Sequence, residues 1–133
     1  MTASWALQKA IHAALVGDAT LMALVTGVHD HVPEDAQFPY VAIGEDDVDA
    51  FDGKTFRGAE HAMSLHVWSR ARGRREAKEI LDRLGALLDQ AALAVAGHTL
   101  IDLRFVAEET ALERDGLTYH GRARLRAVTQ EAS

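Results

Sequence analysis

Cysteine is absent from this 133-residue chain, which excludes a disulfide scaffold, a Cys-ligated zinc or iron–sulfur site, and thiol catalysis. No apolar run approaches the roughly 20 residues that a membrane-spanning helix needs. The opening Met1-Thr2-Ala3-Ser4-Trp5 lacks the basic start and apolar core of a signal peptide, so a soluble protein made in the cytoplasm is expected. Positive charge is scarce: 14 Lys and Arg face 20 Asp and Glu, for a formal charge of −6. That argues against a general nucleic-acid coat, whose affinity depends on neutralising phosphates. What is present suffices for one domain over residues 1–133, because 48% of the chain is hydrophobic and its length is near the domain mode.

The charge is unevenly placed. Residues 1–53 hold nine acids against Lys9 alone, and the remainder holds 13 basic and 11 acidic side chains, so the two parts carry −8 and +2. A chain with that dipole can pair head to tail with copies of itself.

Leu7, Ala10, Ile11, Ala14 and Leu15 fall on one face of an amphipathic helix over 4–16, which Gly17 ends. Asp18 is a suitable N-cap for a second, short helix over 19–25. A short extended piece, Val28 to Pro33, precedes a strand over 40–44, and Pro39 is tolerated at that strand's start. Residues 45–58, rich in Asp and Gly and carrying Phe51 and Phe56, are expected to form a long loop. A strand over 60–68 places Met63, Leu65 and Val67 on one face and Ala62, Ser64, His66 and Trp68 on the other. Helical spacing of Ala77, Ile80, Leu81, Leu84, Leu88 and Ala91 predicts the longest helix, over about 74–92.

A final hairpin joins strands over 100–109 and 117–128. A two-residue Asp115-Gly116 turn would set Phe105 opposite Arg126, mixing apolar and charged faces. A three-residue Arg114-Asp115-Gly116 loop with Gly116 left-handed sets Phe105 opposite Leu125 and Leu103 opposite Ala127, and is the expected arrangement. The fold class that follows is α+β: a small antiparallel sheet with helices packed on one face. The other face then carries Ser64, His66, Asp102, Arg104, Arg122, Arg124 and Arg126, either bathed in water or covered by another chain.

Enzyme chemistry is not written in the chain. His29 and His31 sit at a spacing that can place two imidazoles on zinc, but the sequence names no third ligand; His12, His61, His98 and His120 are not grouped with them. Ser64 and Ser69 lack a nucleophile elbow or an identifiable base. The glycines form no phosphate-binding loop, and Glu45-Asp46-Asp47-Val48-Asp49 lacks the spacing of a calcium loop. Arg70, Arg72, Arg74 and Arg75 precede a helix N-terminus, where the helix dipole disfavours them. A phosphate, an acidic partner or the acidic segment of a neighbouring copy would compensate; a solvated basic turn is the plain alternative.

Several stretches occur in an ordered set: Trp5 to Ile11, Gly17-Asp18-Ala19, Val28 to Pro33, Phe38 to Val41, Glu60-His61, Leu65 to Arg70, Gly73-Arg74, and Asp115 to Arg126. Together they resemble the tail-completion family of long-tailed phages, prophages and gene transfer agents, over roughly residues 5–128. The resemblance implies a tail terminator: an antiparallel sheet with helices on one side, assembled as a hexameric ring at the head–tail junction. Such a ring caps the head-proximal end of the tail tube, stops its polymerisation and meets the head connector, while DNA passes through the lumen. The partners implied are copies of the chain, the tail tube protein and the connector, with no cofactor, catalytic residue or membrane.

A closed ring needs a heterologous contact. The expected contributors are Asp46, Asp47, Phe51 and Phe56 of the acidic loop and the arginines at 70, 72, 74, 75, 122, 124 and 126. Rival readings are the adjacent connector or another minor tail protein, a DNA-binding packaging accessory using the arginines, and a metal hydrolase using His29 and His31.

Overall fold

A computed structural model describes residues 2–132. Helix α1 spans Ala3–Val16, with the Thr2 hydroxyl accepting the Trp5 N–H at its start. Helix α2 spans Ala19–Leu24, and the Asp18 carboxylate caps it by accepting the Leu21 N–H at 2.8 Å. Strands β1 (Val28–His29), β2 (Tyr40–Ala50) and β3 (Gly58–Ser69) follow, then helix α3 (Arg75–Leu88), β4 (His98–Leu112) and β5 (Tyr119–Glu131). They form one sheet in the order β1-β2-β3-β5-β4, parallel at β1–β2 and antiparallel elsewhere.

The helices lie on one face, as the apolar periodicities require. Ala77, Ile80, Leu81, Leu84 and Leu88 of α3 are buried together with Met63, Leu65 and Val67 of β3 and Ala123, Leu125 and Ala127 of β5. From α1, Leu7, Ile11 and Leu15 complete the cluster. Each such leucine contributes about 1.5–3 kcal/mol through removal from water. The helix–sheet approach is close at Gly121, where a β-carbon would stand 3.0 Å from Leu81 Cδ1 and 3.3 Å from Val67 Cβ.

Three expectations are corrected. The segment 45–58 is mostly strand: β2 continues to Ala50 and pairs Asp46 with Met63, Asp47 with Ala62, Val48 with His61, Asp49 with Glu60 and Ala50 with Ala59. Acidic residues suggested a loop because strands are poor in them, yet at a sheet margin they stay solvated while the backbone pairs. Only residues 51–57 turn, closed by the Phe51 N–H to the Gly58 carbonyl and the Gly53 N–H to the Phe56 carbonyl.

Helix α3 ends at Leu88 and not near residue 92, because Gln90 takes a left-handed φ of 60° and its N–H bonds the Leu103 carbonyl. The Asp89 carboxylate accepts the Phe105 N–H, so this corner ties the helix end to the outer strand.

In the last hairpin Phe105 faces Leu125 and Leu103 faces Ala127, as the face argument requires, and Gly116 has φ +69°. The means differs from the expected three-residue loop. Glu113 and Thr118 bracket a four-residue turn, and a β-bulge between Phe105 and Ala107 shifts the register by one. A second bulge lies between Leu100 and Asp102. The extra residues, Ile101 and Val106, are both exposed.

Candidate interaction surface

The face away from the helices carries a connected polar cluster. On β3, period-two alternation puts Ser64, His66 and Trp68 on this side, and the register sets them opposite Arg124, Arg122 and His120 of β5. His66 Nδ1 lies 2.6 Å from His120 Nε2. The outer nitrogen of each ring meets a carboxylate: His66 Nε2 is 3.1 Å from Glu45 Oε2, and His120 Nδ1 is 3.2 Å from Glu113 Oε1. The Trp68 indole stacks on His120 with ring centroids 4.0 Å apart and planes within 3°. Arg122 bridges Glu45 at 3.1 Å and Glu109 at 3.4 Å.

The electrostatics follow from these contacts. The Glu45 carboxyl is held at about 2 by its own backbone N–H and by His66. Burial, and then the neighbouring His66, push His120 below the ordinary imidazole value, while Glu113 opposes them. Beside the cluster, Asp115 is held at about 2 by the Thr118 hydroxyl and the Leu117 and Thr118 N–H groups. An open depression lined by Phe38, Tyr40, Trp68, Glu113, Arg114, Asp115 and Thr118 adjoins it.

The expected contact residues do not converge on one spot. Asp46 points to the helix side and accepts the Ser4 hydroxyl at 2.8 Å, whereas Asp47 shares the polar face with Ala62. Phe51 and Phe56 pair at the β2–β3 tip, with centroids 6.4 Å apart. The basic run lies at the other end of β3, and several of its members find partners within the chain. Arg70 covers the Phe38 ring at 4.3 Å and donates to Thr118, Arg74 lies over Tyr119, and Arg75 pairs with Glu79, while Arg72 is exposed. The basic run therefore has compensation inside the chain. Arg122 is engaged in the cluster, Arg126 pairs with Glu60, and Arg124 is exposed.

The polar cluster is only half visible in the sequence, which puts His66 on this face with Arg122 and leaves His120 ungrouped. Alternation on β3 named one half of it; the adjacency of β3 to β5 supplies the other. His29 instead contacts the Tyr40 ring edge, and among the described residues no three potential ligands are placed to hold a metal ion.

Residues 9–130 match the family described as tail completion protein gp17. Tail completion protein gp17 of Bacillus phage SPP1 is 33% identical over 124 residues, spanning 93% of this chain and 92% of that protein. The structure of the bacteriophage SPP1 gp17 protein matches with a TM-score of 0.68 at 32% identity, covering 94% of this chain and 89% of the other. A chain in the virion of the native gene transfer agent particle matches with a TM-score of 0.90 at 30% identity, covering 97% of this chain and 98% of that one. Order of elements, sheet and sequence agree along nearly the whole length, and the chain belongs to the tail completion protein gp17 family.

Proposed function

We propose that this chain is a structural part of a long-tailed phage or gene transfer agent particle, acting as its tail terminator at the head–tail junction. Copies close into a ring, six by family resemblance, on the head-proximal end of the tail tube. The ring stops tube polymerisation and presents a surface to the head connector, and DNA passes through its lumen. The observation that carries this reading is the TM-score of 0.90 to a chain of an assembled gene transfer agent virion, over 97% of this chain.

The surface supports it physically. Ring closure needs two different patches on each copy. On the polar face, the register sets the exposed Asp47 and Asp49 on the β2 side, while Arg124 of β5 is exposed across the sheet. A net charge of −6 suits a conduit that lets DNA slide without holding it.

Electron microscopy of particles made without this chain tests the proposal. Overlong tubes, or tails and DNA-filled heads that fail to join, are expected. Tails of normal length attached to heads would reject the role.

A further inference from the structure

We propose that His66 and His120 form one proton-binding site, in which a single extra proton is shared between the two rings and fastens the β4–β5 turn to β3. The geometry demands it by counting. Three contacts run in a line: Glu45 to His66 at 3.1 Å, His66 to His120 at 2.6 Å, and His120 to Glu113 at 3.2 Å. All four ring nitrogens are engaged, and each contact needs a hydrogen. Two neutral imidazoles carry only two.

With both rings neutral and donating outward to the carboxylates, two lone pairs would face each other across 2.6 Å. With both rings protonated, two N–H groups and two positive charges would face each other instead. One added proton satisfies all three contacts. The rings meet edge to edge, with centroids 4.8 Å apart and planes 23° from parallel, so the shared hydrogen lies close to both ring planes.

The surroundings favour that state. Glu45 of β2 and Glu113 of the turn flank the pair with negative charge, and Glu109 of β4 adds to it. Arg122 of β5, the positive group facing the cluster, is already occupied by Glu45 and Glu109. From β3, Ser64 contributes only its hydroxyl, at 3.4 Å from Arg122, and Trp68 stacks on His120, where an indole face stabilises a cation. Burial opposes charge on the His120 ring while Glu113 and Glu109 favour it, and the neighbouring His66 ring resists uptake of a second proton. Either extreme of pH breaks the central contact and so unties β3 from the ring that holds Glu113, the residue whose N–H opens the turn by bonding the Thr118 carbonyl.

Nitrogen-15 and proton NMR of the full chain, labelled in its imidazoles, tests this. The expected result near neutrality is one strongly downfield hydrogen coupled to nitrogens of both rings. The pair should titrate in two steps separated by more than about one pH unit. Glu113 and Thr118 amide signals should move in both steps. His120→Gln should abolish the shared resonance, and Glu113→Gln should shift the upper step to lower pH. Two neutral rings near neutrality, titrating together in one ordinary step, would overturn the proposal. If His120→Gln fails to fold, the titration of the unaltered chain decides alone.

Discussion

Asp18 and Arg83 lie 65 residues apart and meet in a two-point pair, with Nε and Nη2 donating to Oδ2 and Oδ1 at 2.9 and 2.8 Å. The same carboxylate caps α2, so one side chain fixes both the start of a short helix and its seat against α3. Asp18→Asn retains a capping oxygen and loses the ion pair, while Asp18→Ala loses both. Melting temperatures should fall in that order below the unaltered chain. Equal losses for the two variants would mean that only the pair matters.

At Gly121 the Leu81 side chain of α3 lies close against the sheet. Gly121→Ala inserts a methyl 3.0 Å from Leu81 Cδ1 and should cost about 1–3 kcal/mol by overpacking. Leu81→Ala alone opens a cavity and should cost about 2–5 kcal/mol. In a urea double-mutant cycle the combined loss should be smaller than the sum of the two, because each change relieves the other.

Acid should unfold the protein through identifiable carboxylates. Glu45 and Asp115 are held at about 2 in the folded state, and Asp18 is lowered by Arg83 and the Leu21 N–H. A folded pKa below the unfolded one contributes stability that is complete above the ordinary value and lost as pH falls through the folded one. The part of the urea midpoint that these carboxylates contribute should therefore be complete above the ordinary values of 4.5 for Glu and 3.8 for Asp and decline towards about 2. Glu45→Gln should flatten part of that decline.

The bulge at Val106 predicts an asymmetry between two deletions. Removing Val106 makes Phe105 and Ala107 consecutive, which leaves their pairing with Leu125 and Arg124 and every buried side chain in place. That variant should retain cooperative thermal unfolding by circular dichroism. Removing Arg124 from β5, which has no bulge against β3, reverses the faces of all residues on one side of the cut and should abolish folding.

Phe51 is half exposed at the β2–β3 tip, and its ring contacts Phe56. If the tip meets a neighbour in the particle, Phe51→Asp should leave stability within about 0.5 kcal/mol and yet block the joining of tails to heads. Normal joining by a stably folded variant would remove the tip from the interface.

The elements carried by side-chain period were legible in the sequence: the stripes of α1 and α3, the Asp18 cap, and the buried row Met63, Leu65 and Val67. The Phe105–Leu125 pairing was legible too, because mixing faces is costly whatever the turn. Its device was not, since a bulge and a change of turn length both shift a register by one. The strand at 46–50 was hidden because solvated acids look alike in a loop and at a sheet margin. The His66–His120 pair was hidden for a different reason: it exists only because β5 inserts between β3 and β4, and no local pattern encodes that order.

The β3–β5 ladder runs unbroken from Gly58 opposite Gln130 to Ser69 opposite Tyr119, and both strands are flanked by others. On either side, β2 beyond its brief contact with β1, and β4 beyond its ties to Val95, Asp89 and Gln90, are paired along one edge only. The molecule is thus built as a stiff spine with two yielding margins. Its amide hydrogens should exchange last along the spine, and the margins can adapt to a docking surface without the centre having to open.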